Sequence, residues 1–131
     1  MNDLTLIPAT NTALPATPFH GRHLIDGRWQ DSADGAVTER LSPSHGVVVS
    51  RAAKGGVAET EAAITAARKA FDDGRWSRIS AKARAAVLLK VADLIEANVE
   101  RLALLETRES GKPISQSRGE CGGAADLWRY A

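Results

Sequence analysis

The feature that most constrains the fold is a long apolar stripe in the second half of the chain. Its members recur at spacings of three and four residues, as on one face of an α-helix: Leu88, Val91, Leu94, Ile95, Val99, Leu102 and Leu105. Ser80 is a suitable N-cap, and Gly111-Lys112-Pro113 would end the helix. About 30 helical residues would extend roughly 45 Å, whereas a compact chain of this size is only about 35 Å across. The stripe therefore predicts either a helix that breaks near Asn98 or a helix that belongs to something larger.

Two further helices are predicted, one on each side of this stripe. A first helix follows Gly55-Gly56, carries Ile64 and Phe71 on one face, and ends at Asp72-Asp73-Gly74. Pro113 suits the first position of a third helix, which would continue through Trp128. Because no capping glycine or return strand follows that helix and its apolar face would stay uncovered, we expect the sequence to be truncated.

Short strands are predicted before the helices. Asp26-Gly27 lies between two apolar segments and predicts a hairpin, because both positions of this turn require positive φ. Turns at 33–35 and 42–46 delimit two later strands. Four strands joined by such short turns predict a sheet that is antiparallel or incomplete. Residues 1–22, with three prolines, predict a flexible leader, so the folded segment is expected to cover residues 23–131.

Composition narrows the classes of partner. The 17 basic and 16 acidic side chains leave a formal charge of +1, which provides no field to attract nucleic acid or an anionic membrane. No apolar run reaches the roughly 18 to 20 residues needed to span a bilayer. A single cysteine, Cys121, excludes an internal disulfide and is consistent with a cytoplasmic protein.

Three local motifs invite a catalytic or ligand-binding interpretation, and each has a simpler structural one. Gly111-Lys112 lacks the Ser or Thr of a phosphate loop, because Pro113 stands in its place, so we interpret it as a helix end. The glycine-rich run 119–123 follows a proline-led helix instead of a strand, so we attribute its glycines to close helix packing and not to dinucleotide binding. Cys121 has no histidine near it in sequence and is interpreted as a small buried thiol.

From His23 to Ala131 the chain resembles the amino-terminal part of the NAD(P)-dependent aldehyde dehydrogenase superfamily. Four segments carry the resemblance: Leu24-Ile25-Asp26-Gly27-Arg28-Trp29, Ser42-Pro43-Ser44-His45-Gly46, the stretch LLKVADLIEANVERLALLETRESGKP over residues 88–113, and Trp128-Arg129-Tyr130-Ala131. The third of these is the most specific. A further match is Ala66-Ala67-Arg68-Lys69-Ala70-Phe71 with Trp76-Ser77. Ser42 stands where asparagine is usual, and His45 replaces the usual small residue before Gly46.

The resemblance implies an α/β fold, of which this chain is the amino-terminal portion: short hairpin strands, three helices and an incomplete Rossmann-like cofactor domain. It implies an oxidoreductase that converts aldehydes to carboxylic acids with NAD or NADP through a cysteine thioester, assembled as a homodimer or homotetramer. The family's catalytic cysteine, glutamate and asparagine, and its dinucleotide-binding segments, match no position here. We therefore assign no catalytic or cofactor-binding residue and expect this chain alone to be inactive. The alternative is a stand-alone helical binding or assembly module.

The resemblance also implies one metal site. Many relatives hold a structural sodium or potassium ion between the strand before the first turn and the acidic residue that ends the long helix. By position, its ligands here are the backbone carbonyls of Arg40 and Leu41 and the carboxylate of Glu109. Oxygen ligands of this kind suit a hard monovalent cation.

Overall fold

The computed structural model describes Leu14 and residues 17–130. Five short strands precede four helices, which confirms the predicted α/β class. The strands are β1 (Phe19–Gly21), β2 (His23–Ile25), β3 (Arg28–Gln30), β4 (Val37–Leu41) and β5 (Val48–Ala53). The helices are α1 (Val57–Asp72), α2 (Ala81–Ala97), α3 (Val99–Ser110) and α4 (Ile114–Tyr130).

The strands form two small sheets. In the larger sheet, β5 lies between β1, which is parallel to it, and β4, which is antiparallel to it. Strand β1 differs from the sequence prediction in two ways. It lies within residues 1–22, which were expected to be a flexible leader. Its parallel pairing also makes the sheet mixed, where an antiparallel or incomplete sheet was expected. Its three residues have no alternating pattern, so pairing of Phe19 with Ser50 depends on tertiary contact that local sequence does not encode. The leader prediction for residues 1–13, 15 and 16 lies outside the described residues.

The predicted hairpin is confirmed. Strands β2 and β3 form an antiparallel pair in which Leu24 lies opposite Trp29. The turn residues Asp26 and Gly27 have φ of 49° and 75°, as a two-residue hairpin turn requires. Asp26 is the one non-glycine residue with positive φ in the described part of the chain.

The long apolar stripe belongs to two helices. The break falls at Asn98, between α2 and α3, so the described residues form four helices where three were predicted. Asn98 leaves helical geometry (φ −119°, ψ 14°), and its side-chain amide donates a hydrogen bond to the Leu94 carbonyl at 2.8 Å. That bond satisfies a carbonyl at the end of α2.

Small residues form the buried centre of the molecule. The buried apolar residues in the described part are Val49 on β5 and one alanine on each of three helices: Ala92, Ala103 and Ala125. Ser117 of α4 is also fully buried, and its hydroxyl lies 3.0 Å from that of Thr107 on α3. Helix α4 therefore packs closely against α2 and α3. Among the described residues, no helix has the length and apolarity to cross a bilayer.

Candidate functional site

The end of α3 brings the helices against the sheet. Gly111 has left-handed backbone conformation (φ 75°), and its N–H donates to the Thr107 carbonyl at 2.9 Å. A Cβ at position 111 would lie 3.4 Å from Cβ of Pro43, in the turn between β4 and β5. Glycine is favoured here by its left-handed backbone conformation. The predicted helix end is confirmed.

Lys112 joins α3 to α4. Its ammonium group donates to Glu106 Oε1 at 2.6 Å and also to Glu120 Oε2. The hydrogen bond with Glu106, reinforced by Glu120, raises the pKa of Lys112. The bond from Lys112 lowers the pKa of Glu120. An amine held between two carboxylates is not presented to a phosphate, which agrees with the structural interpretation of Gly111-Lys112.

The structure brings two of the three predicted cation ligands to one place. Arg40 and Glu109 line the same shallow cleft of about 480 Å³, whereas Leu41 does not line it. The β4–β5 pairing shifts register between Arg40 and Leu41, and an irregularity of this kind frees backbone groups from the strand ladder. The Ser50 hydroxyl donates to Glu109 Oε1, which fixes the carboxylate beside the sheet. The donor set thus fits a monovalent cation.

Within the described residues, no group of three or more His, Cys, Asp or Glu side chains is placed to hold a metal ion.

A second feature, which the sequence analysis did not identify as a site, is an apolar groove between the sheet and the α2–α3 pair. It has a volume of about 770 Å³ and is lined on one side by Phe19 and Val49. On the other side it is lined by the apolar stripe, including Val91, Leu94, Ile95, Leu102 and Leu105. The sequence feature that indicates this groove is the apolar stripe. The helical spacing of the stripe predicts a helix face that is buried, and it does not predict a groove that is open.

Comparison with known proteins decides the family. The profile of the aldehyde dehydrogenase family matches residues 29–131. The chain belongs to the aldehyde dehydrogenase family. The resemblance inferred from the four sequence segments is therefore confirmed.

Individual aldehyde dehydrogenases also match the chain. The chain is 44% identical over 112 residues to aldehyde dehydrogenase family 2 member B4 of Arabidopsis thaliana, covering 85% of this chain and 21% of the relative. An NAD-dependent aldehyde dehydrogenase from Sinorhizobium meliloti superposes with a TM-score of 0.84 at 46% identity, covering 87% of this chain and 23% of that one. A betaine aldehyde dehydrogenase from Staphylococcus aureus, solved with NAD+, superposes with a TM-score of 0.80 at 33% identity, over 83% and 22% of the two chains. This chain thus spans about a fifth of the length of the relatives it matches.

The glycine-rich run of this aldehyde dehydrogenase segment does not form a phosphate-binding loop. The glycine-rich run 119–123 lies inside α4, so its backbone N–H groups are part of a helix and form no phosphate-binding loop. The attribution of those glycines to close packing is wrong, because a Cβ at Gly119, Gly122 or Gly123 would meet nothing within 4 Å. The buried positions of α4 are instead Ser117 and Ala125.

Cys121 is not activated for nucleophilic attack. Its side chain is half-buried on α4. Burial, and next the carboxylates of Glu106 and Glu120, raise the pKa of the thiol. Because the thiolate is the reactive form, a raised pKa disfavours catalysis at neutral pH.

The two departures from the family pattern contact each other. In the turn between β4 and β5, the hydroxyl Oγ of Ser42 lies 3.1 Å from Nδ1 of His45. The Gly46 N–H donates to the Ser42 carbonyl at 2.8 Å and closes the turn, with Gly46 at φ 67°. The turn predicted at 42–46 is confirmed, and its two unusual residues form one polar pair.

Proposed function

We propose that this chain is the amino-terminal structural part of an enzyme that oxidises aldehydes to carboxylic acids with NAD+ or NADP+. The observation that carries the proposal is the superposition on the NAD-dependent enzyme of S. meliloti, with a TM-score of 0.84 at 46% identity. In the overall reaction an aldehyde and water yield a carboxylic acid, and a hydride passes to the nicotinamide cofactor. The substrate is a small-molecule aldehyde, and the complete enzyme is a cytoplasmic homodimer or homotetramer.

The contribution of this segment is structural. The glycine-rich run 119–123 lies inside α4, and the pKa of the Cys121 thiol is raised instead of lowered. The segment instead supplies a rigid junction in which Gly111 packs on Pro43 and Lys112 joins α3 to α4. It follows that the chain alone does not oxidise aldehydes. A stand-alone helical binding module remains the alternative function, with the apolar groove as its binding surface.

We also propose that the complete enzyme holds a structural sodium or potassium ion at Arg40, Leu41 and Glu109. The strand irregularity at Arg40 and Leu41 and the placement of Arg40 and Glu109 on one cleft support this assignment. The backbone carbonyls and the carboxylate would supply oxygen ligands, and the ion would stabilise the sheet against the end of α3. A Glu109→Gln variant removes the charge while keeping the side-chain length. It should abolish stabilisation of the complete enzyme by sodium or potassium relative to a large organic cation.

The main experiment uses a chimera in which this chain replaces the matched quarter of the S. meliloti aldehyde dehydrogenase. We expect the chimera to form NADH when it is given an aldehyde and NAD+, because the replaced segments share their fold. We expect the chain by itself to form none with either NAD+ or NADP+. Thiol-dependent turnover by the isolated chain that disappears in Cys121→Ser would contradict the structural role. An inert, correctly folded chimera would contradict the assignment to an aldehyde-oxidising enzyme.

A further inference from the structure

Two carboxylates line the shallow cleft of the proposed cation site, and they have different partners. Glu106 accepts a hydrogen bond at Oε1 from the Lys112 ammonium at 2.6 Å, so a positive charge of the chain already balances it. Glu109 accepts a hydrogen bond at Oε1 from the hydroxyl of Ser50. A hydroxyl is a neutral donor, so this bond orients the Glu109 carboxylate without cancelling its charge. Glu109 is therefore the carboxylate of this cleft that is suited to a bound cation.

Ser50 holds this carboxylate from the middle of the larger sheet. It is 6% exposed, and its backbone pairs with Phe19 of β1 on one side and with Arg40 of β4 on the other. Side chains of residues paired directly across neighbouring strands lie on the same face, so Ser50 shares the face of the sheet from which Arg40 lines the cleft. A strand paired on both sides is a rigid support. The Ser50 hydroxyl therefore fixes Glu109 relative to the β4 backbone, which carries the proposed carbonyl ligands.

The carboxylate needs this support more than the carbonyls do. The carbonyls of Arg40 and Leu41 belong to the backbone of a strand, whose position is set by pairing with β5. A glutamate side chain has several rotatable bonds, and ordering it costs conformational entropy. A carboxylate that is already ordered in the free protein binds an ion without that cost, as preorganised groups do. Ser50 is not among the described residues that line the cleft, so its hydroxyl acts on an ion only through Glu109.

We propose that Ser50 is a positioning residue for the structural sodium or potassium ion. Its hydroxyl holds Oε1 of Glu109, which leaves Oε2 as the oxygen that binds the ion. The inference rests on the cation site of the proposed function and is independent of aldehyde oxidation. It differs from a purely structural role, because a serine that only joined α3 to the sheet would change stability by the same amount with and without the ion.

The test titrates the chimera with potassium chloride, and separately with sodium chloride, at a constant ionic strength maintained with tetramethylammonium chloride. The readout is the cation concentration that raises the thermal unfolding temperature by a fixed increment above each variant's own value in tetramethylammonium chloride. This concentration scales with the dissociation constant of the ion and does not depend on activity.

Three serine variants are compared. Ser50→Ala removes the hydroxyl, and Ser50→Cys replaces it with a weak donor of similar size. Ser32→Ala is the matched control, because Ser32 is also 6% exposed and its hydroxyl donates to the Lys54 carbonyl at 2.6 Å, outside the cleft. We expect the required cation concentration to rise about tenfold in both Ser50 variants, because each loses a strong hydrogen bond to a charged group. Ser32→Ala should change it by no more than about twofold.

The outcomes separate this inference from the proposed function. An unchanged concentration in either Ser50 variant, with the cation response abolished in Glu109→Gln, would overturn the inference and leave the cation site in place. An equal rise in Ser50→Ala and Ser32→Ala would also overturn it, because the cause would then be general loosening of the fold. A parent chimera with no cation response, or a response that survives Glu109→Gln, would overturn both the site and the inference. A folded chimera with the expected responses but no NADH formation would contradict aldehyde oxidation and support the inference.

Discussion

Helices α1 and α4 have almost the same length, 16 and 17 residues, but they are held in the fold by different means. Helix α4 buries Ser117 and Ala125 completely against α2 and α3, whereas α1 buries none of its residues. Side-chain size does not explain the difference, because α1 carries six alanines. The two helices differ in what they face: α4 packs against two helices, α2 and α3, whereas α1 lies against the short strand β2. Apolar periodicity and small residues therefore predict both helices equally well, and the packing partners distinguish the packed helix from the peripheral one.

The ion pairs of α4 and α1 also differ. Helix α4 is joined to its neighbours by Arg129, which pairs with Glu96 at 2.6 Å, and by Arg118, which pairs with Glu100 at 2.8 Å. The close ion pair of α1, Arg68 with Asp72, lies within the helix itself. These pairs are exposed, so each contributes little to stability and mainly fixes orientation. Burial of α4 against α2 and α3 is therefore the larger cause of the difference between α4 and α1.

The largest predicted effect comes from placing the same substitution in both helices. Ala125→Leu should reduce the free energy of unfolding by about 2–3 kcal/mol, because the three added carbon atoms have no space at a fully buried position. Ala63→Leu on exposed α1 should change it by no more than about 0.5 kcal/mol. Urea unfolding followed by circular dichroism measures both. Equal destabilisation would show that α1 is packed as closely as α4.

A smaller effect is predicted at the junction that joins the helices to the sheet. Gly111→Ala should cost about 1 kcal/mol, because alanine at positive φ is strained while its Cβ would make an ordinary van der Waals contact with Pro43. Gly27→Ala is the matched control, since Gly27 has the same φ of 75° but a Cβ there would meet nothing within 4 Å. Gly27→Ala should therefore cost about the same, because the two positions share the conformational strain. A Gly111 variant clearly less stable than the Gly27 variant would show that the turn at Pro43 leaves no room for a Cβ.

The open face of α4 predicts a stabilising change. Gly122→Ala should raise the free energy of unfolding by about 0.5–1 kcal/mol, because it adds helix propensity where a Cβ meets no neighbour. The same urea titration measures the change. A loss of stability would mean that Gly122 makes a contact that the described structure does not contain.

The smallest effect concerns the beginning of α1. The Glu59 carboxylate accepts hydrogen bonds at 2.8 Å from the N–H groups of Ala33 and Gly56, and the bond from Ala33 is the main cause of its lowered pKa. A lowered folded-state pKa stabilises the fold above the ordinary carboxyl pKa, and this contribution is lost as the pH falls through the lowered value. Acid should therefore loosen the start of α1.

Amide chemical shifts of Ala33 and Gly56 during an acid titration measure this loosening. Glu59→Gln should remove the titration from both amides, whereas Glu61→Gln, on the same helix but outside these contacts, should leave it in place. Persistence of the titration in Glu59→Gln would mean that another group controls the start of α1.

The elements with strong local signals were predictable from sequence. The Asp26-Gly27 turn, the Ser80 cap, whose hydroxyl accepts from the Ala83 N–H at 3.2 Å, and the helix end at Gly111 each depend on a residue type suited to one conformation. Helix length predicted either a break near Asn98 or a helix that belongs to something larger, and the structure has the break at Asn98.

The features that sequence did not reveal depend on distant contacts. Strand β1 forms because Phe19 pairs with Ser50, about thirty positions away, and nothing in three residues encodes that partner. The groove is similar, since the stripe predicts an apolar face but not whether another layer covers it. The cation ligands Arg40, Leu41 and Glu109 were predicted from the family resemblance, but the hydrogen bond from Ser50 to Glu109 required the fold.

The central claim is that this segment supports the fold of an aldehyde dehydrogenase and supplies none of its catalytic groups. NADH formation by the free chain and by the chimera with the S. meliloti enzyme tests it most directly. We expect the chimera to form NADH from an aldehyde and NAD+, with or without the Cys121→Ser substitution, and the free chain to form none. Turnover by the free chain that disappears in Cys121→Ser would contradict the claim.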